Sequence, residues 1–121
     1  MSSELAAIPH HMAVLARQRR KCVLGWPRDW RPTEVVNPAT GEPFTAWGAW
    51  EFIAELLERG HPLEEVILEN PPGKRAYVMR VDLQPDLLQL YIKVQLGSGA
   101  IIGRSFHLSR IGESPGESDS E

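Results

Sequence analysis

The stretch that decides the fold is residues 87–110, which read LLQLYIKVQL, then GSG at 97–99, then AIIGRSFHLSR. Its first half alternates between apolar and polar side chains, which is the period of a β-strand with one buried face. The Gly-Ser-Gly break and the apolar residues that return after it predict a β-hairpin. This hairpin lies near the end of the chain, so the preceding residues have to cover its apolar face.

The register of the hairpin decides which side chains share a face, because a slip of one residue exchanges the two faces. A three-residue loop at 97–99 places Val94 opposite Ile102 and Leu90 opposite Phe106, so that apolar residues meet. A two-residue loop would place polar residues of the second strand opposite the leucines, without obvious partners. We therefore predict the three-residue loop.

This register gathers polar side chains on the other face of the hairpin. They are Gln89, Tyr91, Lys93, Gln95, Gly103, Ser105 and His107. His107 is predicted opposite Gln89 and diagonal to Tyr91, within side-chain reach. Histidine transfers protons near neutral pH, and lysine stabilises the negative charge that develops on a phosphorane. We therefore predict His107, Lys93 and Tyr91 as catalytic residues, although an ordinary solvated sheet face explains the same pattern.

Arg104 does not fit this register, because it points to the core face opposite Ile92. It either pairs with a carboxylate or reaches water at the sheet margin, or a bulge near Gly103 turns it onto the polar face as a phosphate ligand. The sequence leaves these alternatives open. The predicted substrate-binding residues are Arg104, Ser105, Gln89 and Arg75.

The residues before the hairpin contain three predicted helices and one strand. A helix over 11–21 has a cationic last turn, which suits the helix dipole. Thr45 caps a helix over 46–59, Pro62 opens a second short helix, and residues 74–82 alternate as a strand. The predicted fold class is α+β, with N-terminal helices packed on a C-terminal antiparallel curled sheet of three strands or slightly more.

The 121-residue length is enough for one domain. We predict a single α+β domain over 1–111, with a loosely ordered arm at 1–9, and a disordered acidic tail over 112–121. The formal net charge is −3, and four of the 16 acidic residues lie in that tail, so the remainder is close to neutral. Such a balance permits nucleic-acid binding but does not argue for it.

Cysteine content and hydropathy predict a cytoplasmic protein with no membrane segment. Cys22 is the single cysteine, and neither an export signal nor a run of 18 apolar residues is present in the sequence. The spacing of His10, His11, Cys22, His61 and His107 matches no familiar ligand set, so no metal and no cofactor is predicted.

Residues 17–31 form a basic segment with six basic residues against Asp29, and with Trp26 and Trp30 between them. Charge and base stacking on such a segment could hold RNA. The alternative, which we favour, is a solvated arm whose two indoles pack on the core.

The order of these elements, with Leu90-Tyr91-Ile92-Lys93-Val94 and Ser105-Phe106-His107 on the last two strands, resembles the MqsR-type toxins of bacterial toxin–antitoxin systems, within the RelE-like and barnase-like ribonuclease group. The resemblance runs from about residue 47 to residue 109. It implies a metal-independent endoribonuclease that cuts messenger RNA and is held inactive by an antitoxin protein. It matches Tyr91 and Lys93 to a Tyr-x-Lys strand, and His107 to a position where the family carries lysine. The alternative is a non-catalytic RNA- or protein-binding module of similar fold.

Overall fold

The computed structural model describes residues 3–69, 72–83 and 88–110, which form two α-helices and a five-stranded sheet. The elements are α1 (Ser3–Ala16), β1 (Cys22–Trp30), α2 (Ala46–Glu58), β2 (Glu64–Glu69), β3 (Pro72–Leu83), β4 (Leu88–Gly97) and β5 (Ala100–Arg110). Two 3-10 turns, Arg19–Lys21 and Pro32–Glu34, flank β1. No helix within these ranges is long and apolar enough to cross a membrane.

The sheet is mixed, with strand order β1-β5-β4-β3-β2. Neighbouring strands are antiparallel except β1, which runs parallel to β5. The α+β class is confirmed. The predicted three-stranded antiparallel sheet is matched only roughly, because one strand is added at each edge of the predicted meander.

Strand β1 occupies most of the basic segment, which was not predicted to be a strand. It pairs with β5 near both of its ends, at Cys22 opposite Ile101 and at Trp30 opposite Phe106, with an irregular stretch between. The Trp30 ring lies 5.0 Å from the ring of Trp50. The core-packing alternative is therefore correct for Trp30, whereas the side chain of Trp26 lies outside the described part of the chain.

Strand β2 stands where a second short helix was predicted, so that prediction is wrong. Val66 pairs with Ala76 and Glu64 with Val78 in an antiparallel ladder with β3. A short apolar run has no period long enough to separate a strand from a buried helix. The edge of β3 decides in favour of the strand, because its backbone N–H and C=O groups form hydrogen bonds along β2.

The first helix begins and ends earlier than predicted. Residues from Ser3 onward, expected to be a loose arm, are helical, and α1 stops at Ala16. The cationic residues Arg19–Lys21 form a separate 3-10 turn instead of the last turn of the helix. Helix α2 agrees with its prediction, and Thr45 Oγ1 accepts a hydrogen bond from the Gly48 amide at 2.9 Å. The predicted acidic tail, 112–121, lies outside the described residues.

Both helices contribute to one hydrophobic core with one face of the sheet, which we call the core face. The fully buried members of this core include Met12, Phe44, Ile53, Met79, Leu90, Ile92, Val94, Ile101 and Phe106. The opposite side of the sheet, which we call the second face, carries the residues that alternate with them. The predicted functional residues of the hairpin belong to this second face.

The loop between β4 and β5 has two residues, Ser98 and Gly99, and not three. Val94 therefore lies opposite Gly103, and the predicted pairing of Val94 with Ile102 is wrong. Gly99 has a φ of 73°, which glycine adopts without steric cost. The two-residue turn is thus compatible with the sequence. The longer loop was predicted because it paired apolar residues of β4 with apolar residues of β5, and a second feature of the hairpin restores that pairing.

A β-bulge restores the pairing of apolar residues between β4 and β5. The register shifts by one residue after the pair Val94 and Gly103. Arg104 is the extra residue, and the next pairs are Lys93 with Ser105 and Ile92 with Phe106. The predicted pairing of Leu90 with Phe106 is also wrong, because Leu90 lies opposite Leu108.

Candidate functional site

The hairpin brings five of the predicted site residues together on the second face. Tyr91 and Lys93 come from β4, and Arg104, Ser105 and His107 come from β5. Lys93 lies directly opposite Ser105, and Tyr91 directly opposite His107. We call these five residues the hairpin cluster.

The shorter loop and the bulge together change which residues of β5 lie on this face. Gly103, predicted on the second face, lies on the core face, where a Cβ would stand 2.6 Å from Cζ3 of Trp30. Ile102, predicted on the core face, lies on the second face opposite Gln95. Arg104 follows the bulge alternative: its Nη1 would be 2.7 Å from a Cβ on Gly25, so its side chain passes over β1.

A stack of three side chains crosses the second face from β3 to β5. The guanidinium carbon of Arg80 lies 5.1 Å from the centroid of the Tyr91 ring, a cation–π contact. The Tyr91 and His107 rings are stacked with centroids 5.4 Å apart and planes at 28°. Arg80 is held in turn by Glu64, at 3.4 Å. This stack fixes the plane of the imidazole.

The carboxylate of Asp29, on β1, lies next to the hairpin cluster. Its Oδ2 atom lies 3.5 Å from Nε2 of His107, and Nδ1 of the same ring lies 3.3 Å from the carbonyl oxygen of Leu108. Asp29 also forms an ion pair with Arg31. Asp29 thus faces the buried Nε2 atom without a hydrogen bond to it, and a slightly closer approach would give the carboxylate–imidazole arrangement in which imidazoles commonly transfer protons.

The site also contains three residues that the sequence did not predict there, Asp29, Arg31 and Arg80. Asp29 and Arg31 are remote from the hairpin in sequence, and the parallel pairing of Asp29 with Ser105 brings them there. Arg80 was assigned to an alternating strand, but its position opposite Tyr91 depends on the β3–β4 register. Asp29 is the single acidic residue of the basic segment, and this was the sequence signal that could have marked it as a functional residue.

The hairpin cluster is largely buried, except at its His107 end. Lys93 and Arg104 are each 2% exposed, and Ser105 is fully buried. A cavity of about 240 Å³ opens beside His107, lined by Asp29, Arg31, Glu34, Val35, His107 and Leu108. A ligand would therefore reach His107 first, with the Arg31 guanidinium beside it.

Two of the predicted substrate-binding residues lie apart from the cluster. Gln89 lies near the margin of the second face and donates a hydrogen bond to Oδ1 of Asp82 at 2.8 Å. Arg75 alternates with Tyr77 on the core-face side of β3, near the β2 edge, and pairs with Glu65 at 3.3 Å. Arg75 therefore does not share a face with His107.

His61 and Cys22 make local contacts outside the cluster. His61 Nε2 lies 3.0 Å from the carbonyl oxygen of Arg80. Burial raises the pKa of the Cys22 thiol to about 11, and its Sγ lies 3.4 Å from the carbonyl oxygens of Ala16 and Gln18. Across residues 3–69, 72–83 and 88–110, no group of three or more His, Cys, Asp or Glu side chains is placed to hold a metal ion.

Comparisons of the chain with protein-family models, with curated proteins and with solved structures returned no match. The resemblance to MqsR-type toxins therefore stays a prediction.

Proposed function

We propose that the protein is a metal-independent endoribonuclease whose cleavage centre is the His107 end of the hairpin cluster. The proposal is supported by the contact between Asp29 and His107, 3.5 Å apart, beside a cavity with a guanidinium group, that of Arg31, in its lining. An oriented imidazole together with guanidinium and ammonium groups is what RNA transesterification requires when no metal takes part.

In this proposal the His107 ring is neutral and keeps its proton on Nε2, which faces Asp29, so that Nδ1 accepts the proton of the ribose 2′-hydroxyl in place of its contact with the Leu108 carbonyl oxygen. The 2′-oxygen attacks the phosphorus, the bond to the 5′-oxygen breaks, and the departing oxygen takes a proton from solvent. Arg31 at the cavity stabilises the negative charge on the phosphorane, and Lys93 and Arg104, each 2% exposed, add positive potential from within the second face. Asp29 holds the imidazole in one orientation, and Tyr91 supports the ring from the side.

The proposed partners are RNA as substrate and an antitoxin protein as inhibitor, and the proposed compartment is the cytoplasm. Both partners follow from the resemblance of the Tyr91–Lys93 strand and the Ser105–His107 segment to the toxin family. The charges of both signs on the described residues give no separate support for RNA as the substrate. A direct measurement of RNA cleavage is therefore decisive.

The burial of the cluster favours a second candidate, a non-catalytic RNA- or protein-binding module. Tyr91 and Lys93 are 4% and 2% exposed, so RNA would have to open the second face to touch them. In the binding-module alternative the stack of Arg80 on Tyr91 and the buried cations stabilise the sheet, and no phosphate enters the cavity.

Cleavage of a synthetic single-stranded RNA by the purified protein tests the proposal. The expected products carry a 2′,3′-cyclic phosphate and a 5′-hydroxyl, and EDTA leaves the rate unchanged. His107→Ala should lower the rate by about 10²- to 10⁴-fold with RNA binding nearly intact. His10→Ala, at an exposed position in α1, is the matched control and should cleave like the wild type. Equal rates for wild type and His107→Ala would remove His107 from the mechanism, and no cleavage by the wild type would favour the binding module.

A further inference from the structure

A groove lies between α2, the turn at 37–40 and the ends of β3 and β4. We call it the α2 groove. Its volume is about 910 Å³. Apolar side chains from the helix and three strands form its floor, namely Phe52, Leu56, Val81, Leu83, Leu88 and Leu108. A concave surface with such a floor buries the apolar side chains of a ligand well.

The rim of the α2 groove is acidic. Among the described lining residues, the carboxylates at the rim are Glu34, Glu51 and Glu55, and the single cation is Arg59, whereas the carboxylate of Asp82 accepts a hydrogen bond from Gln89 on the second face. Arg59 lies 3.7 Å from Glu55 and balances one of these carboxylates, which leaves the rim with a net negative charge. The groove therefore favours a ligand that brings positive charge at its edges and apolar groups at its centre.

Helix α2, which forms one wall of the groove, carries two of these carboxylates one turn apart. Glu51 and Glu55 stand four residues apart on α2, and Phe52 and Leu56 form a parallel apolar line beside them. Residues at this spacing lie one turn apart on the same helix face. A helix laid along α2 would meet this carboxylate line and, beside it, the half-buried ring of Phe52, with Leu56, 5% exposed, one turn further along. At the margin of the groove, Val36 is 54% exposed, as expected where a partner would cover it.

We propose that the α2 groove binds an amphipathic, cationic helix of a partner protein. The inserted helix places apolar residues at i, i+3 and i+4 against Phe52 and Leu56, and Lys or Arg residues against Glu51 and Glu55. Glu34 and Leu108 line both this groove and the His107 cavity, so the bound helix lies next to the cavity. The proposal goes beyond RNA cleavage and holds whether or not the protein is an enzyme.

A designed peptide tests this proposal on the full-length protein. The probe is a fluorescent peptide of about four helical turns, with Leu along one face and Lys along its flanks. The matched peptide replaces every Lys by Glu. At about 0.15 M salt, where only close charges interact, the Lys peptide should bind at least about tenfold more tightly. Its amide chemical-shift changes should centre on Val36, Phe52 and Leu88.

Protein variants separate the groove from general attraction to an acidic protein. Glu51→Lys combined with Glu55→Lys should weaken binding of the Lys peptide by about tenfold or more. Glu65→Lys combined with Glu69→Lys, on the far edge strand β2, makes the same charge change and should bind like the wild type. If the first pair lowers the melting temperature, Glu51→Gln with Glu55→Gln serves instead, and should weaken binding by a smaller but measurable factor.

Three results would overturn the proposal. One is equal weakening by both charge-reversed pairs, which would show non-specific attraction. Another is a set of shift changes centred on the second face and not on the α2 groove. The third is self-association of the protein that Val36→Asp abolishes, because a second copy would then be the occupant.

Discussion

The carboxylate of Asp29 lies 3.5 Å from Nε2 of His107, and the two residues belong to strands at opposite ends of the chain. The contact exists because β1 runs parallel to β5, with Asp29 beside Ser105. It places a carboxylate where it can orient the imidazole, at the rim of a cavity that opens to solvent. The proposed proton transfer depends on this pair more than on any other feature of the second face.

Asp29→Asn should lower the RNA cleavage rate by about 10- to 100-fold, because an amide can hold the imidazole in the wrong tautomer. RNA binding should change little, since the substitution adds no phosphate ligand. The measurement is kcat and KM on one RNA substrate. Glu34→Gln removes another carboxylate of the same cavity, one without a contact to His107, and should retain the wild-type kcat. Equal losses in both variants would assign the effect to the charge of the cavity and not to orientation of the ring.

Lys93→Met should weaken RNA binding and slow cleavage together, because the ammonium serves both the ground-state phosphate and the phosphorane. Methionine keeps most of the buried stem volume of a side chain that is 2% exposed. The slope of log K against log salt should fall by about 0.7 for single-stranded RNA. Lys74→Met, at an exposed position on β3, is the control. An unchanged slope for Lys93→Met would mean that RNA does not reach this ammonium group.

Gly103→Ala should destabilise the fold by about 1–3 kcal/mol, because the new Cβ would stand 2.6 Å from the Trp30 ring. Gly97→Ala brings a Cβ to 3.0 Å from the flexible end of Ile102 and should cost less. Chemical denaturation of both variants measures the difference. Backbone NOEs should connect Val94 with Gly103 in the wild type, and their absence would reject the bulged register.

The Cys22 thiol should react slowly with iodoacetamide in the folded protein, because burial raises its pKa from 9.0 to about 11. At pH 8 this lowers the thiolate fraction by about a hundredfold relative to the unfolded chain. The raised pKa also predicts that the stability linked to this group is fully present below pH 9 and is lost as the pH rises toward 11. Denaturation of wild type and Cys22→Ser across that range measures the effect, and parallel curves for the two proteins would contradict it.

The face shared by Tyr91, Lys93 and His107 was predicted correctly from an incorrect register. The loop is one residue shorter than predicted, which shifts the pairing of β5 along β4 by one residue, and the bulge shifts it by one more. The total shift of two residues equals the side-chain period of a strand. His107 therefore returns to the predicted face. Ile102 and Gly103, which lie between the loop and the bulge, exchange faces.

The sequence by itself determined the features that depend on neighbours along the chain. The cap of Thr45 on α2, the apolar spacing of that helix and the alternation of β4 are all local, and all agree with the structure. These features follow from helix and strand periods that a dozen residues are enough to reveal. The α+β class follows from the order of those elements.

Only the tertiary structure decided the strands at the two edges of the sheet and the bulge at Arg104. Strand β2 forms because β3 offers a backbone edge, and β1 lies beside β5 although its sequence has no clear alternation. The bulge lets Gly103 lie under Trp30, a contact across two strands. Such choices depend on backbone hydrogen bonds and packing between residues far apart in sequence, and no local period encodes them.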